Sequence, residues 1–339
     1  MKQQDCADYF KENKILKYGG MAMQTRLAII ILHYKNYQET ITCINCALKQ
    51  RGEGYEIIVV DNGSGDGSYE QLKNYYKKTP HVTIKRLKKN LGFARGNNAG
   101  IRYARAQFSA KNCFICNSDV VFEETLFEEL LAAGRKGIGV ISPAVYDTDK
   151  KPQPLSVNWK SPYRRIFFTW LYILYKSLPE EIRKKVVFEL IKLLFHLLKR
   201  GIHGASCLYS FLKERGFYLK AKENGNNAAG GTGSAQKDNP YRMQGCAFML
   251  TEDYFKYYRQ LYPRTFLYGE ELNLTLYLKK AGLLAATVPT STVIHKGRQS
   301  SGMLYGKDGE RSRLIFARQS LFHSLPLLFL NHRKIRRFY

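Results

Sequence analysis

Apolar runs and amphipathic stretches alternate along the first 145 residues of the chain. Residues 27–32 are a continuous apolar run with isoleucines at its centre, which is typical of a buried strand. Similar runs predict strands at 56–60, 82–87, 113–118 and 138–141, the last closed by Ser142-Pro143. Helical periodicity predicts helices at 38–50, 69–78, from the 90–100 segment to about 107, and at 124–133. This alternation predicts a parallel sheet wrapped by helices.

Acidic and glycine-rich segments of this half fall at the ends of predicted strands. Residues 61–68 follow the second strand, and Asn117-Ser118-Asp119 ends the fourth. Residues 90–100 begin a helix and carry Arg95, a suitable place for an anionic group. In open α/β folds ligands bind at the carboxyl ends of the strands, where a carboxylate can hold a hard divalent ion. Each segment alone also fits a plain connection between a strand and a helix.

Residues 151–240 have a different composition, in which aromatic and basic residues intermix. Residues 183–200 can form an amphipathic helix with a lysine-rich polar stripe opposite a broad apolar face. Such a helix suits the surface of an anionic membrane. A helical insertion packed on its own domain or on a second subunit is the alternative. Residues 223–239 are rich in Gly, Asn and Ala and predict a mobile loop.

The remaining sequence returns to strand and helix patterns. Residues 242–250 and 286–294 predict strands, the second ending at His295, and 251–255 predict a short helix. Residues 266–282 are ambiguous, because alternating leucines favour a strand whereas the Lys-Lys-Ala-Gly ending favours a helix. In a helix, Glu270 and Glu271 would occupy the first turn. The tail has an apolar segment at 321–330 followed by a basic one at 333–337.

The composition indicates the class of binding partner and the cellular compartment. The 339 residues include 54 Lys and Arg against 28 Asp and Glu, a net charge of +26, which indicates an anionic partner such as nucleic acid, acidic lipid or a phosphorylated substrate. The seven cysteines show no disulfide framework and are interpreted as buried, reduced thiols of a cytosolic protein. No signal peptide and no apolar run of about 18 residues is present in the sequence.

Six motifs occur in an order that is characteristic of one enzyme family. They are Val-Val-Asp-Asn-Gly-Ser at 59–64, the Asn-Leu-Gly-Phe-Ala-Arg-Gly-Asn-Asn stretch at 90–98, Asn-Ser-Asp at 117–119, Gly-Cys-Ala-Phe-Met-Leu at 245–250, Phe-Leu-Tyr-Gly-Glu-Glu at 266–271, and Val-Ile-His at 293–295. On these motifs the chain resembles the family 2 glycosyltransferases, and most closely their rhamnosyltransferase-like branch, over about 27–150 and 241–300. The resemblance implies a GT-A fold, a Rossmann-like and mostly parallel sheet flanked by helices, here with a basic amphipathic helical insertion.

The resemblance also implies roles for individual residues. Residues expected to bind the nucleotide sugar lie at strand ends and at the 90–98 motif; they are Tyr34, Asp61, Asn62, Arg95, Asn97, Asn98, Asn117 and Ser118. Asp119 would ligate Mn²⁺ or Mg²⁺ through the diphosphate, and His295 would complete that site. The acidic pair Glu270 and Glu271 would lie near the acceptor, with the second position as general base.

Three positions depart from the family pattern. Asn117 stands where Asp is expected at the start of the metal-binding triplet, which leaves one carboxylate fewer. Glu271 stands at the position of the base, where Asp is usual, and Asn273 replaces a frequent second Asp.

Five segments follow from this sequence. They are an N-terminal extension at 1–24, which is either a loose extension or an upstream start, the nucleotide-sugar-binding half at 25–150, the insertion at 151–240, the acceptor-binding half at 241–300, and the basic and apolar tail at 301–339. The expected function is inverting transfer of rhamnose or another hexose from a nucleotide-diphosphate sugar to an acceptor hydroxyl. A lipid-linked glycan of bacterial surface polysaccharide synthesis is the expected acceptor, used by a cytoplasmic enzyme that is peripheral on the inner face of the plasma membrane.

Other readings of the sequence stay open. A catalytically silent GT-A-like scaffold on a membrane assembly would explain the three departures. A basic nucleic-acid-binding protein would explain the charge, but no helix-turn-helix, RNP or zinc-finger pattern is present in the sequence. A nucleotidyltransferase with a related sheet would need a glycine- and lysine-rich loop after the first strand, which the sequence lacks.

Overall fold

The computed structural model describes residues 25–153, 178–183, 185, 189, 243–297 and 309–336. Its strands are β1 (Leu27–His33), β2 (Tyr55–Asp61), β3 (Val82–Arg86), β4 (Asn112–Asn117), β5 (Val120–Phe122), β6 (Ile138–Tyr146), β7 (Ala247–Leu250) and β8 (Leu284–His295). Its helices are α1 (Tyr37–Leu48), α2 (Ser68–Tyr75), α3 (Phe93–Gln107), α4 (Leu126–Ala132), α5 (Glu252–Tyr257), α6 (Glu270–Ala281), α7 (Gly309–Ser324), α8 (Pro326–Phe329) and α9 (His332–Ile335).

The strands of this described part form one sheet in the order β3-β2-β1-β4-β7-β6-β8-β5. β1 pairs in parallel with β2 and β4, and β2 pairs in parallel with β3, which confirms the parallel sheet predicted for the first half. β6 and β8 are also parallel, whereas β7 runs antiparallel to β4 and β6, and β5 runs antiparallel to β8. The sheet is therefore mixed and mostly parallel.

Helices cover both faces of the central strands. Residues 27–31 of β1 are fully buried, because α1 and α3 both pack on this strand. α3 lies close to the sheet through Gly96 and Gly100: a Cβ at Gly100 would meet Ile30 Cγ2 at 2.6 Å, and one at Gly96 would meet Leu32 Cδ1 at 2.5 Å. The two glycines thus bring the start of α3 down to the carboxyl ends of β1 and β2.

The prediction that Ser142-Pro143 closes the strand at 138–141 is wrong. β6 continues to Tyr146, and its pairing register with β8 shifts between Pro143 and Ala144. Proline has no N–H to donate to the sheet, and the register shift that follows Pro143 leaves residues 289–291 of β8 without a partner in β6, so the strand accommodates Pro143 beside this irregularity.

The ambiguous segment at 266–282 contains a helix. α6 begins after Gly269 and ends at Gly282, and both glycines have the left-handed backbone that closes a helix end or a tight turn. Its residues 272–278 are all buried, because β8 contacts α6 and the C-terminal helices α8 and α9 contact it as well. A helix covered on several sides lacks a polar face, which is why its leucines resemble a strand pattern in the sequence.

The C-terminal helices belong to the same compact unit as the sheet. Leu321, Leu327 and Ile335 are buried, so one side of the predicted apolar tail packs on the domain. A second unit spans 161–238, of which a helical turn at 180–183 is described. The 1–24 extension, most of the 151–240 insertion with its amphipathic helix, and the 223–239 loop lie outside the described residues. Among described residues, no helix is both long enough and apolar enough to cross a membrane.

Candidate active site

The carboxyl ends of β1, β2 and β4 bring polar residues together at one edge of the sheet. His33 is the register partner of Asp61, and Asn117 is the partner of Leu32 in the adjoining pair. The ends of β2 and β4 therefore lie on either side of the end of β1. The predicted ligand-binding edge is built from the ends of these three strands.

One carboxylate oxygen of Asp61 accepts hydrogen bonds within the protein, and the other accepts none from the described residues. Its Oδ1 accepts hydrogen bonds from the Ser64 backbone N–H (3.0 Å) and from the Ser64 hydroxyl. Its Oδ2 is buried and accepts no hydrogen bond from the described chain, although Arg86 Nε lies 3.5 Å away. A buried acceptor of this kind can take a donor group of a ligand. Tyr34 follows β1 and is half-buried, with Lys35 Nζ 5.4 Å from its ring centre.

His33 is a site residue that the sequence analysis missed. Its imidazole is fully buried, with Nδ1 2.7 Å from Thr40 Oγ1 and Nε2 2.8 Å from Ser68 Oγ. Burial lowers the pKa of His33, and the charges of Asp61 and Asp66 oppose that shift. The ring therefore links the beginnings of α1 and α2 beneath the Asp61 loop. Its place at the end of a buried strand was the available signal.

Asn62 connects the loop after β2 to the 90–98 motif. Its Nδ2 donates to Asn90 Oδ1 (3.0 Å), and its Oδ1 accepts from the Leu91 backbone N–H (2.9 Å). Gly92 has a φ of +82°, and a Cβ there would lie 2.2 Å from the Phe266 carbonyl oxygen. The contacts of Asn62 thus hold the 90–98 motif from one side. The close approach of Gly92 to Phe266 places the motif against the segment that leads to Glu270 and Glu271.

The polar residues of α3 face a loop of the second half. Arg95 Nε donates to the Pro263 carbonyl (2.8 Å), and the Asn98 amide exchanges two hydrogen bonds with the Leu261 backbone. Asn97 donates to the Phe93 carbonyl (3.0 Å), while its buried Oδ1 has no partner within the described residues. The structure thus shows that Asn98 and Arg95 Nε make hydrogen bonds within the protein. That these residues also bind the nucleotide sugar stays a prediction.

Asn117, Asp119 and His295 come together although Asp119 and His295 are far apart in the sequence. The pairing of β5 with β8 places His295 opposite Val120. His295 Nε2 lies 3.4 Å from Asp119 Oδ1 and 3.5 Å from Asn117 Nδ2, and its Nδ1 is 3.3 Å from Gln153 Oε1. Ser118 Oγ is buried nearby and has no partner within the described residues.

These side chains fit a divalent cation that is also held by a phosphorylated ligand. Within the residues that the structure describes, no group of three or more His, Cys, Asp or Glu side chains is arranged so that it could hold a metal ion by itself. Mg²⁺ is usually held by one or two carboxylates together with substrate phosphates. Asp119 supplies one such carboxylate, and the His295 Nε2 that faces it is a nitrogen ligand of the kind that transition metals accept. Gln153 fixes the histidine ring from its other nitrogen.

Glu270 and Glu271 follow a constrained turn. Tyr268 and Gly269 both have positive φ values, 74° and 84°. The segment is supported from behind by α7, where the Ser320 hydroxyl donates to the Leu267 carbonyl (2.7 Å) and the Phe316 ring stacks on Phe266. The predicted tail therefore helps to position the acidic pair.

The two glutamates have different surroundings. A Gly245 backbone hydrogen bond reaches the Glu271 carboxylate, and a Cβ at Gly245 would lie 2.3 Å from Glu271 Oε1. Burial raises the pKa of the neighbouring Cys246 thiol, and the charges of Asp119 and Glu271 raise it further, so both carboxylates lie near this cysteine. Glu270 Oε1 is buried without a partner among the described residues and lines a small cavity.

Burial and the charge of Glu271 raise the pKa of Glu270 to about 8, and burial also raises the pKa of Glu271. From the ordinary Glu270 value of 4.5 up to about 8, the folded chain holds a proton that the unfolded chain has released. The free energy of unfolding therefore falls as pH rises through this range. We expect the free energy of unfolding of Glu270→Gln, relative to that of the parent chain, to increase by on the order of 3 kcal/mol from pH 5 to pH 8.

Urea unfolding at the two pH values measures this gain. Glu252→Gln removes an exposed glutamate from the first turn of α5 and serves as the control, for which we expect equal differences at pH 5 and pH 8. A Glu270→Gln gain that is the same at both pH values would show that Glu270 ionises normally in the folded chain.

Comparison with known proteins shows what part of this chain is similar to. Residues 28–191 match the family model described as Glycosyl transferase family 2. The glycosyltransferase YibD of Escherichia coli K12 is 31% identical over 111 residues, which are 33% of this chain and 31% of YibD. Glycosyltransferase GlyG of Streptococcus pneumoniae serotype 4 is 27% identical over 108 residues, which are 32% of this chain and 35% of GlyG. The matches thus span about a third of the length of each relative.

A solved structure shows the fold over a larger part of the chain. The match to the crystal structure of GalNAc-T7 with UDP, GalNAc and Mn²⁺ covers 82% of this chain and 45% of the GalNAc-T7 chain, with a TM-score of 0.50 and 12% sequence identity. This likeness confirms the predicted GT-A fold with its mixed, mostly parallel sheet.

Proposed function

We propose that this chain, which carries a family 2 glycosyltransferase domain over residues 28–191, transfers a sugar from a nucleotide-diphosphate sugar to an acceptor hydroxyl. The observation that carries the proposal is that Asp119 and Glu271 both lie near Cys246, whose carbonyl accepts from the Asn117 N–H (2.9 Å) at the sheet edge that also holds Asp61. The proposed base, the proposed metal ligand and the carboxylate proposed to recognise the nucleobase would thus share one rim. UDP bound to GalNAc-T7 supports a nucleoside diphosphate sugar as the donor.

The proposed donor site follows the strand ends. Asp61 Oδ2 would accept an N–H of the nucleobase, and Tyr34 would pack beside the nucleoside. Asn97 Oδ1, buried and without a partner in the described chain, would take a donor group of the sugar nucleotide. Asp119 and His295 would hold Mn²⁺ or Mg²⁺, which when bound supplies positive charge against the leaving diphosphate.

Glu271 is the proposed general base. The acceptor oxygen attacks the anomeric carbon as the bond from that carbon to the diphosphate oxygen breaks. The bonding pair leaves with the diphosphate, and Glu271 takes the proton of the acceptor hydroxyl. Attack opposite to the leaving group inverts the anomeric configuration. Burial raises the pKa of Glu271, which brings its basicity closer to neutral pH.

A panel of nucleotide sugars tests this function. The purified chain is incubated with UDP-, dTDP- and GDP-linked hexoses, including dTDP-rhamnose, with and without Mn²⁺, and released nucleoside diphosphate is measured chromatographically. We expect one donor to be consumed in a metal-dependent reaction that an acceptor accelerates. No binding or turnover of any donor would contradict the proposal and favour a silent scaffold.

We also propose that the acceptor is lipid-linked, as in bacterial surface polysaccharide synthesis, and that the enzyme works at the inner face of the plasma membrane. The net charge of +26 supports an anionic surface as partner. On α7, Ile315, Arg318 and Phe322 follow each other at spacings of three and four and are all exposed, and Phe329 on α8 is 86% exposed. Exposed apolar and basic residues on one helix face suit a membrane surface.

Vesicle binding tests this surface. We expect the double variant Phe322→Ser and Phe329→Ser to lose at least about tenfold in affinity for phosphatidylglycerol vesicles, because each inserted aromatic side chain contributes apolar burial. Tyr75→Ser removes a similarly exposed aromatic residue on α2 and should bind as the parent chain does. Equal binding by the double variant and the parent chain would place membrane contact elsewhere.

A further inference from the structure

The mostly apolar cavity that Glu270 and Glu271 line also contains three polar side chains with unpaired atoms. Within the described part of the chain, Asn273 has neither amide atom hydrogen-bonded, and Thr265 Oγ1 and Glu270 Oε1 are unpaired as well. Asn273 is 3% exposed and Thr265 is 2% exposed, so bulk water does not satisfy them. All three residues line the same cavity. Leaving several buried polar atoms unpaired is costly, so this cluster requires an occupant.

The size of the cavity limits which molecule can bind there. The space holds about one water molecule and is too small for a sugar ring. The unpaired atoms of Asn273, Thr265 and Glu270 can offer the two to four hydrogen bonds that a buried water makes. Glu270 and Asn273 are three residues apart on α6 and therefore share a helix face, while Thr265 approaches from the preceding loop.

We propose that this cavity is a binding site for one water molecule held by Asn273, Thr265 and Glu270, and that Asn273 thereby acts as a positioning residue for the base Glu271. The inference rests on the proposed glycosyltransferase function. The water bridges the Glu270 carboxyl to the uncharged Asn273 amide, which keeps Glu270 in place without adding charge. A carboxylate at position 273 would put a third acid beside Glu270 and Glu271.

The other groups around the cavity leave this arrangement undisturbed. Its titratable lining groups are Glu270, Glu271, Tyr262 and Tyr277. The Tyr262 hydroxyl donates to the His323 carbonyl (2.6 Å), and the Tyr277 ring stacks on Tyr258. The contributions of α3 and of the segment before β7, such as Ala94 and Gly245, carry no ionisable side chain.

Asn273→Leu tests the site because leucine has the branched shape of asparagine but no polar atom to hold the water. We expect the acid limb of the kcat/KM profile to move up by about one pH unit, since the acidic pair loses a polar neighbour, while the midpoint of thermal unfolding stays equal or rises. Thr265→Val is isosteric and should move the limb in the same direction by a smaller amount, which keeps the test available if the leucine variant fails to fold.

The chain offers a matched control. Thr275 lies on the same helix, is fully buried and has an unpaired Oγ1 within the described residues, but it does not line the cavity. Thr275→Val should leave the acid limb unchanged. An equal shift for Thr275→Val, or no shift for both Asn273→Leu and Thr265→Val, would overturn the positioning role.

A high-resolution crystal structure of the full chain separates this inference from the proposed function, because it needs no turnover. We expect one water between Asn273 and Glu270 in the parent chain and none in Asn273→Leu. A dry cavity in the parent chain would overturn the water site. An occupied cavity in a chain that turns over no donor would leave the water site standing and remove the proposed function.

Discussion

Replacing Glu271 by Gln is expected to lower sugar transfer by about a thousandfold while donor binding stays unchanged. Glutamine keeps the size of the side chain and can still lie against Gly245, but it does not take a proton from the acceptor hydroxyl. General-base catalysis contributes typically ~10²–10⁴ in rate. The variant should therefore bind a nucleoside diphosphate as the parent chain does, in a calorimetric titration, and lose kcat.

Glu270→Gln is the matched control for this prediction. Its carboxyl group lies on the cavity side, and the raised pKa keeps it largely protonated near pH 7, so glutamine resembles its neutral form. We expect this variant to keep activity within about tenfold of the parent chain. If Glu270→Gln abolished transfer and Glu271→Gln did not, the base would be Glu270, and the assignment of the pair would be reversed.

Replacing Asp119 by Asn is expected to remove the response of donor binding to Mn²⁺. Asp119 is the carboxylate of the triplet, is almost fully buried, and faces His295 Nε2. The neutral amide keeps the shape but provides a weaker ligand for a hard cation. Because a bound metal contributes several kcal/mol to a phosphorylated site, we expect donor affinity with Mn²⁺ to fall about a hundredfold. Thermal shift with donor, with and without Mn²⁺, measures this loss.

Asp149→Asn controls for a general effect of the lost charge. Asp149 is an exposed carboxylate, 71% accessible and paired with Lys151, so its variant should keep the full Mn²⁺ response. Donor binding by Asp119→Asn that still depends on Mn²⁺ to the same degree would show that the metal is held by other residues.

The local pattern of apolar and polar residues was sufficient to predict the first half of the fold. Continuous apolar runs such as 27–32 and the helices between them predict the parallel order, because each unit is defined within about 30 residues. The segment at 266–282 was undecided, since α6 is covered by β8 and the C-terminal helices and lost the polar face that marks a helix. The extension of β6 past Pro143 depends on its pairing with β8, which no local pattern records.

The residues of the site were predictable where a motif carries them, and their surroundings were not. The sequence predicted Asp119 with His295, and the pairing of β5 with β8 brings them to 3.4 Å. It gave no indication that Asn98 is bonded on both sides to Leu261. The cavity at Asn273 is formed by residues from four separate segments of the chain, so its unpaired atoms are apparent only after folding.

The central claim is that this chain inverts an anomeric centre during sugar transfer. Proton and carbon NMR of a reaction with a donor labelled at the anomeric carbon tests it most directly, with the Glu271→Gln variant run in parallel. The account predicts a new glycoside of opposite anomeric configuration with the parent chain, released nucleoside diphosphate in equal amount, and almost no product with the variant. A product of retained configuration, or no new glycoside from a donor that binds, would contradict it.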